Sequence, residues 1–265
     1  MNESTNTETR ETGWKTLYVT GGVAALLAVI VFRRNWSAEL AISKGFGIFE
    51  IPDPLPGNAL EWFTLLQKDP FVGLSLLNIF DLINFALVGL IFLALYAALR
   101  NTNKSLILMS ISTGLIGVAV YLASNQAWEM LSLSKQYAAA ISDAQRSILL
   151  TAGDVLLVTN HSEAPYQATG IHLGLLLVLL AGLLISIVML QSDVFGKTAA
   201  ICGILANGLA LLGFIALAFG PAISWIPPTL SAPFRMLWYV LIALKLFKLA
   251  RADQRDASLG HQNQE

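Results

Sequence analysis

Six apolar runs alternate with polar segments along the chain, at roughly 15–33, 77–99, 104–124, 168–191, 197–219 and 234–250. Each approaches the length an α-helix needs to cross a bilayer, about 20 mostly apolar residues. The first and last are shorter and flanked by charge. Within the runs, apolar positions recur with a helical period or fill every position. The alternation of a membrane barrel strand is absent. The pattern predicts an all-α, polytopic integral membrane bundle of about six transmembrane helices in one membrane domain over 15–251. The polar, mixed-charge stretch 1–14 reads as a disordered tail, and 252–265 as a polar C-terminal tail. Leu17 to Phe32 could pass for the apolar core of a signal peptide. However, the preceding segment is not clearly basic, and "RRNW" stands where small residues would mark cleavage. This run reads as a retained first membrane helix.

The connections differ in length. "RNTNK" (100–104) and "QSDVFGK" (191–197) mark tight helical hairpins. The first long connection contains "IPDPLPGN", followed by Asn58 and Glu61 at the spacing of a capping box for a short helix, "ALEWFTLLQK". Asp69 and Pro70 then form a cap and first-turn pair. If one helix ran unbroken from Pro70 to Leu99, it would be about 45 Å long at 1.5 Å per residue. That exceeds a hydrocarbon core of roughly 30 Å, so its first turns would project and Asp81 would lie near the membrane boundary. In the third connection, apolar positions 137, 141, 144, 148, 152 and 155 form a helical stripe, while Asp143, Gln145, Arg146 and Asp154 lie mostly off it. This predicts an amphipathic extramembrane helix, lying on the membrane or over the bundle mouth and ended by "NHSEAPYQ". The stretch "GPAISWIPPTLSAP" holds four prolines and a tryptophan and reads as a structured interfacial loop.

Composition agrees with a bilayer protein: 55% of residues are hydrophobic and 12% are charged, and the mean hydropathy is +0.66. A net charge of −1 implies no pull toward nucleic acid. The single cysteine, Cys202, excludes a disulfide framework and a Cys-pair metal site. With the N-terminus inside, nine Lys and Arg residues fall on the inner side and seven on the outer. The inner ones sit in short hairpins and the C-terminal end, where they weigh more, so both termini are expected in the cytoplasm of a cell-membrane protein.

That topology places the polar residues. Asn78, Asp81 and Asn84 share one helical face near the outer end of the second span. Asn125, Gln126 and Glu129 end the third span, His172 begins the fourth, Arg235 begins the sixth, and Asn207 lies midway along the fifth. They gather into an outer-leaflet polar layer. A carboxylate at the bilayer centre costs about 2.5–3.5 kcal/mol, and less toward the edge. Asp81 should therefore face the bundle or a wet cavity, with Arg235, Arg33 or Arg34 as a cationic partner. Asp81 reads either as a structural ion-pair or boundary residue, or as a ligand, proton or substrate site. Asn78, Asn84, Asn125, His172 and Arg235 are the other candidate ligand-binding residues. Each also has a plainer role: His172 as a helix-end hydrogen bonder, Arg235 as an interfacial anchor. His161 with Glu163 reads as loop polarity. Asn207 reads as an interhelical hydrogen bond on the small-residue face Ala199, Gly203, Asn207, and Gly114 and Gly117 as close-packing positions. Phosphate-loop, zinc-protease and nucleophile-elbow motifs are absent. No cofactor and no metal is expected.

The stretches "NIFDLINFALVGLIFLALYAALRNTNKSLILMS" and "GIHLGLLLVLLAGLLISIVMLQSDVFGKTAAICGILANGLALL" resemble domain-of-unknown-function family 4386 of bacterial membrane proteins over about 75–250. The resemblance implies a six-helix integral membrane protein and no known activity. Three functions then compete. The first is binding or moving a small solute or lipid through the outer polar layer. The second is a scaffold or assembly role with a membrane protein partner or a second copy, using helix 137–158 and the small-residue face. The third is a lipid-modifying enzyme using Asp81, His172 and either Asp154 or Glu129. The sequence shows no matched pair of broken helices of the kind many transporters use.

Overall fold

The computed structural model describes the backbone of residues 4–38, 54–160, 168–224 and 226–262. His161, Glu163 and Trp225 lie outside these residues, and Arg33 and Arg34 lie outside those whose side chains are described. The described chain is all α apart from a 3-10 turn at Leu217–Phe219. Its helices are α1 (Ser4–Ala38), α2 (Ala59–Lys68), α3 (Pro70–Leu76), α4 (Ile79–Leu99), α5 (Lys104–Ser124), α6 (Ala127–Ala139) and α7 (Asp143–Asn160), then α8 (Thr169–Leu190), α9 (Lys197–Ala216), α10 (Pro221–Ser224) and α11 (Ile226–Gln262). Six stretches among the described residues are long and apolar enough to cross a membrane: Trp14–Val31, Ile79–Leu99, Lys104–Ala139, Thr169–Leu190, Lys197–Phe219 and Ile226–Ala252. The six expected spans are therefore present.

Several expectations are corrected. The helix expected from Pro70 to Leu99 is broken. Leu77 N–H closes α3 on the Gly73 carbonyl at 3.1 Å, and Asn78 turns left-handed with φ 63°. Asparagine tolerates that conformation better than most residues and is a recurrent helix stop. The break leaves α4 with 21 residues, about 30 Å at 1.5 Å per residue, which matches the hydrocarbon thickness. The proline-rich segment expected as a loop is largely helical: Pro227 and Pro228 sit in the first turn of α11, where their missing N–H groups have no intrahelical use. Beyond the first and last spans, helical backbone runs back to Ser4 and on to Gln262, and this does not bear on the tail expectations. Extending an existing helix adds one bond per residue without repeating nucleation. Finally, the segment around 137–158 forms two helices, α6 and α7, separated by extended backbone at Ala140.

The chain divides into two compact units: Met1–Ile30, Phe85–Val118 and Leu175–Glu265 in one, Val31–Asn84 and Ala119–Gly174 in the other. In the first unit, α9 packs along α11 through a small-residue face, with Ala199, Gly203, Ala206, Asn207, Ala210 and Gly213 buried. A side chain on Gly203 would strike Ser186 Oγ and come within 2.5 Å of Trp238 Nε1, and one on Gly182 would come within 2.5 Å of Asn207 Oδ1. Asn207 Nδ2 donates to the Gly203 carbonyl of its own helix at 2.8 Å. The guanidinium of Arg100 lies 4.1 Å above the Trp14 ring.

In the second unit, α2 packs on α3, α6 and α7. Ala59, Trp62, Phe63 and Leu66 recur at i, i+3, i+4 and i+7 and are all buried. Burying each of the two large aromatic rings contributes on the order of 1.5–3 kcal/mol. The caps are those the sequence predicts. Asn58 Oδ1 accepts from Glu61 N–H at 3.0 Å, and Asp69 Oδ1 accepts from Phe71 and Val72 N–H at 3.1 and 3.0 Å. Glu61 reaches one residue further back than a capping box requires, accepting from Gly57 N–H at 2.7 Å.

Candidate functional site

The second unit contains two helix interruptions, and they are bonded to each other. One lies at Leu77–Asn78, between α3 and α4. The other lies at Asn125–Gln126, between α5 and α6. Both free backbone groups at a point where a continuous helix would have paired them. The Asn125 amide serves both breaks. Its Oδ1 accepts from Ala127 N–H at 3.0 Å, starting α6. Its Nδ2 donates to the Asn78 carbonyl at 3.4 Å. That carbonyl also accepts from Asp81 N–H at 3.0 Å.

A second bond runs parallel to the first. Tyr121 Oη donates to Asp81 Oδ2 at 3.0 Å. Tyr121 is 6% exposed, and Asp81 is half-buried in the first turn of α4. A carboxylate there also meets the positive end of the helix dipole. Tyr121 lies in the last turn of α5, four residues before Asn125, and Asp81 lies in the first turn of α4, three residues after Asn78. Beside them is a cavity of about 20 Å³, whose polar lining comes from Asn78, Tyr121, Asn125 and Gln126 and whose apolar lining includes Leu77, Met130, Leu156 and Ile171. A cavity needs about 10–15 Å³ to hold one water, and such a water needs two to four polar partners. The site has the volume and the partners for one water-sized ligand.

The other predicted residues fall differently. Asn84, one turn beyond Asp81, has a buried Oδ1 with no hydrogen-bond partner among the described residues. His172 is half-buried in the first turn of α8 and does not line the cavity, although its neighbour Ile171 does. Arg235 belongs to the other unit, where its guanidinium donates to the Ala206 carbonyl at 3.1 Å. Asp154, an acid in the enzyme reading, accepts from Ala59 N–H at 2.8 Å and so caps α2. Among the described residues, no group of three or more His, Cys, Asp or Glu is placed to hold a metal ion. Tyr121 was not a sequence candidate. Its spacing of four from Asn125, at the polar end of an apolar helix, is the signal that points to it.

The fold and this junction define a multi-pass, all-α integral membrane protein with a polar site built at interrupted helices. A family described as a domain of unknown function, DUF4386, matches residues 16–250, and the chain belongs to it. No curated protein and no solved structure matches the chain.

Proposed function

We propose that the protein binds a small polar solute, or moves it across the cell membrane, at the junction of the two interrupted helices. The observation that carries this reading is the Asn125 amide joining both breaks beside a water-sized polar cavity. The breaks fall where α4 and α5, of 21 residues each, have just crossed the hydrocarbon core, and the orphan backbone groups at such helix ends can be met by a ligand. The solute is a small cation. Asp81 supplies negative charge one hydrogen bond behind the cavity, through Tyr121, and the cavity is lined by Asn78, Tyr121, Asn125 and Gln126, residues that carry carbonyl or hydroxyl oxygens. With both termini cytoplasmic, the junction faces the outer leaflet. A cavity of about 20 Å³ favours a small solute over a lipid at this site.

The test is thermal melting of the purified protein in sodium, potassium, ammonium and choline chloride at equal ionic strength. A ligand that binds only the folded state raises its stability as its concentration exceeds Kd. Wild type should melt several degrees higher in one of the small cations than in choline, and Asp81→Asn should lose that difference while keeping its helical content. Equal melting of wild type in all four salts overturns the reading and leaves Asp81 as a structural partner of Tyr121.

A further inference from the structure

A second opening in the same unit is far too large for a water-sized ligand. It is an open groove of about 780 Å³ between α6 and α7. Pockets for drug-sized ligands run from about 300 to 1,000 Å³. One wall is a face of α6 carrying Glu129, Leu133 and Gln136, and the other is a face of α7 carrying Ile148, Thr151 and Val155. Glu129 is the one charged residue among those lining it.

The α7 helix is apolar on two sides. Leu149 and Gly153 are buried, and a side chain on Gly153 would come within 2.8 Å of Ala59 and Phe63 of α2. The opposite side is unpacked: Ile148 is 70% exposed, Val155 58% and Val158 72%, and Ile141, just before the helix, is 96% exposed. The stripe predicted from the sequence is therefore the outward-facing one, and it continues the apolar wall of the groove. Trp128, beside Glu129, is 56% exposed. Exposed tryptophans concentrate at membrane–water interfaces.

We propose that this groove seats one phospholipid with a primary-amine headgroup. The ammonium donates to the Glu129 carboxylate, and an acyl chain lies along Leu133, Ile148 and Val155. Three observations fix this occupant. The groove is too large for the small solute, its apolar wall is continuous with an exposed stripe in a protein that lives in lipid, and among the described residues that line it the one charge is negative. An anionic headgroup would be repelled. A choline headgroup is cationic but has no N–H to donate, so it gains less than an amine does from a charge-assisted hydrogen bond.

The experiment is native mass spectrometry of the full-length protein. It is equilibrated in detergent with equal amounts of phosphatidylethanolamine, phosphatidylcholine and phosphatidylglycerol of matched chains. Wild type should retain one phosphatidylethanolamine, favoured over phosphatidylglycerol by about threefold to tenfold, within reach of one hydrogen bond to a charged group. Glu129→Gln, at an exposed position, should keep the adduct and lose the preference. Val155→Asp should lose the adduct with unchanged helicity. Equal retention of the three lipids by wild type overturns the proposal. So does a selectivity that Glu129→Gln leaves intact, or a dimer that Val155→Asp dissociates, since a second copy would then occupy the stripe.

Discussion

The two units differ in the chemistry that dominates the contacts within each. In the unit containing α9 and α11, helices approach where side chains are missing. Gly182 makes room for Asn207, Gly203 for Ser186 and Trp238, and Gly213 for Pro228. In the unit containing α2, α3, α6 and α7, helices are joined by side chains that bond to distant backbone. Asp154 holds Ala59 N–H, Ser134 Oγ donates to the Phe63 carbonyl at 3.1 Å, and Gln67 Nε2 donates to the Ser134 carbonyl at 3.0 Å. The difference follows from helix length. A helix of 20 or so residues satisfies its own backbone in lipid, so what remains to be optimised is close packing. Helices of 7–18 residues have a larger share of orphan N–H and carbonyl groups, and side chains must reach them. The first unit should therefore be sensitive to added bulk and the second to deleted polar atoms.

The largest expected effect tests the first half of that contrast. Gly203→Leu forces a branched side chain into the space of Ser186 and Trp238, and should destabilise by about 3 kcal/mol, the upper range for overpacking. Gly208→Leu, five residues along the same helix with nothing within 4 Å of its Cβ position, should be neutral or slightly stabilising, since leucine is the better helix former. Thermal unfolding in detergent measures both, and equal melting temperatures for the pair would break the contrast. A smaller effect tests the second half. Asp154→Ala leaves Ala59 N–H without its acceptor and should cost about 1–2 kcal/mol. Asp143→Ala, which removes an exposed contact to Arg146 at 3.6 Å and a charge in the first turn of α7, should cost less, a fraction of that amount.

The same contrast explains what could be read in advance. The spans were legible because a bilayer demands about 20 apolar residues in one run. The caps at Asn58 and Asp69 were legible because their partners lie within three residues. The junction was not. "LLNIFDLIN" keeps a helical pattern through Asn78, and the group that meets the freed carbonyl is Asn125, 47 residues away. Asp81 could be flagged as an acid in an apolar helix, but its partner Tyr121, 40 residues away, could not be chosen from the pattern alone. The stripe on α7 was visible as a period, yet periodicity does not say which of two apolar faces is packed. The face with Leu149 and Gly153 was the packed one because glycine there allows contact with Phe63.

The smallest expected change in stability, that of Asn78→Gly, sharpens the reading of Asn78 itself. Its left-handed backbone costs most L-residues roughly 1–2 kcal/mol and costs glycine little. Asn78→Ala should therefore destabilise by about that amount, and Asn78→Gly by no more than a few tenths. Both keep the backbone carbonyl that Asn125 bonds. If the asparagine side chain serves only the turn, Asn78→Gly will match wild type in melting temperature and in its response to small cations. The proposed site requires more of it, because Asn78 lines the cavity and its amide is a polar group the site would use. Asn78→Gly should keep the melting temperature in choline and lose most of the small-cation shift. Melting curves in the two salts separate the cost of turning the chain from the cost of removing a ligand.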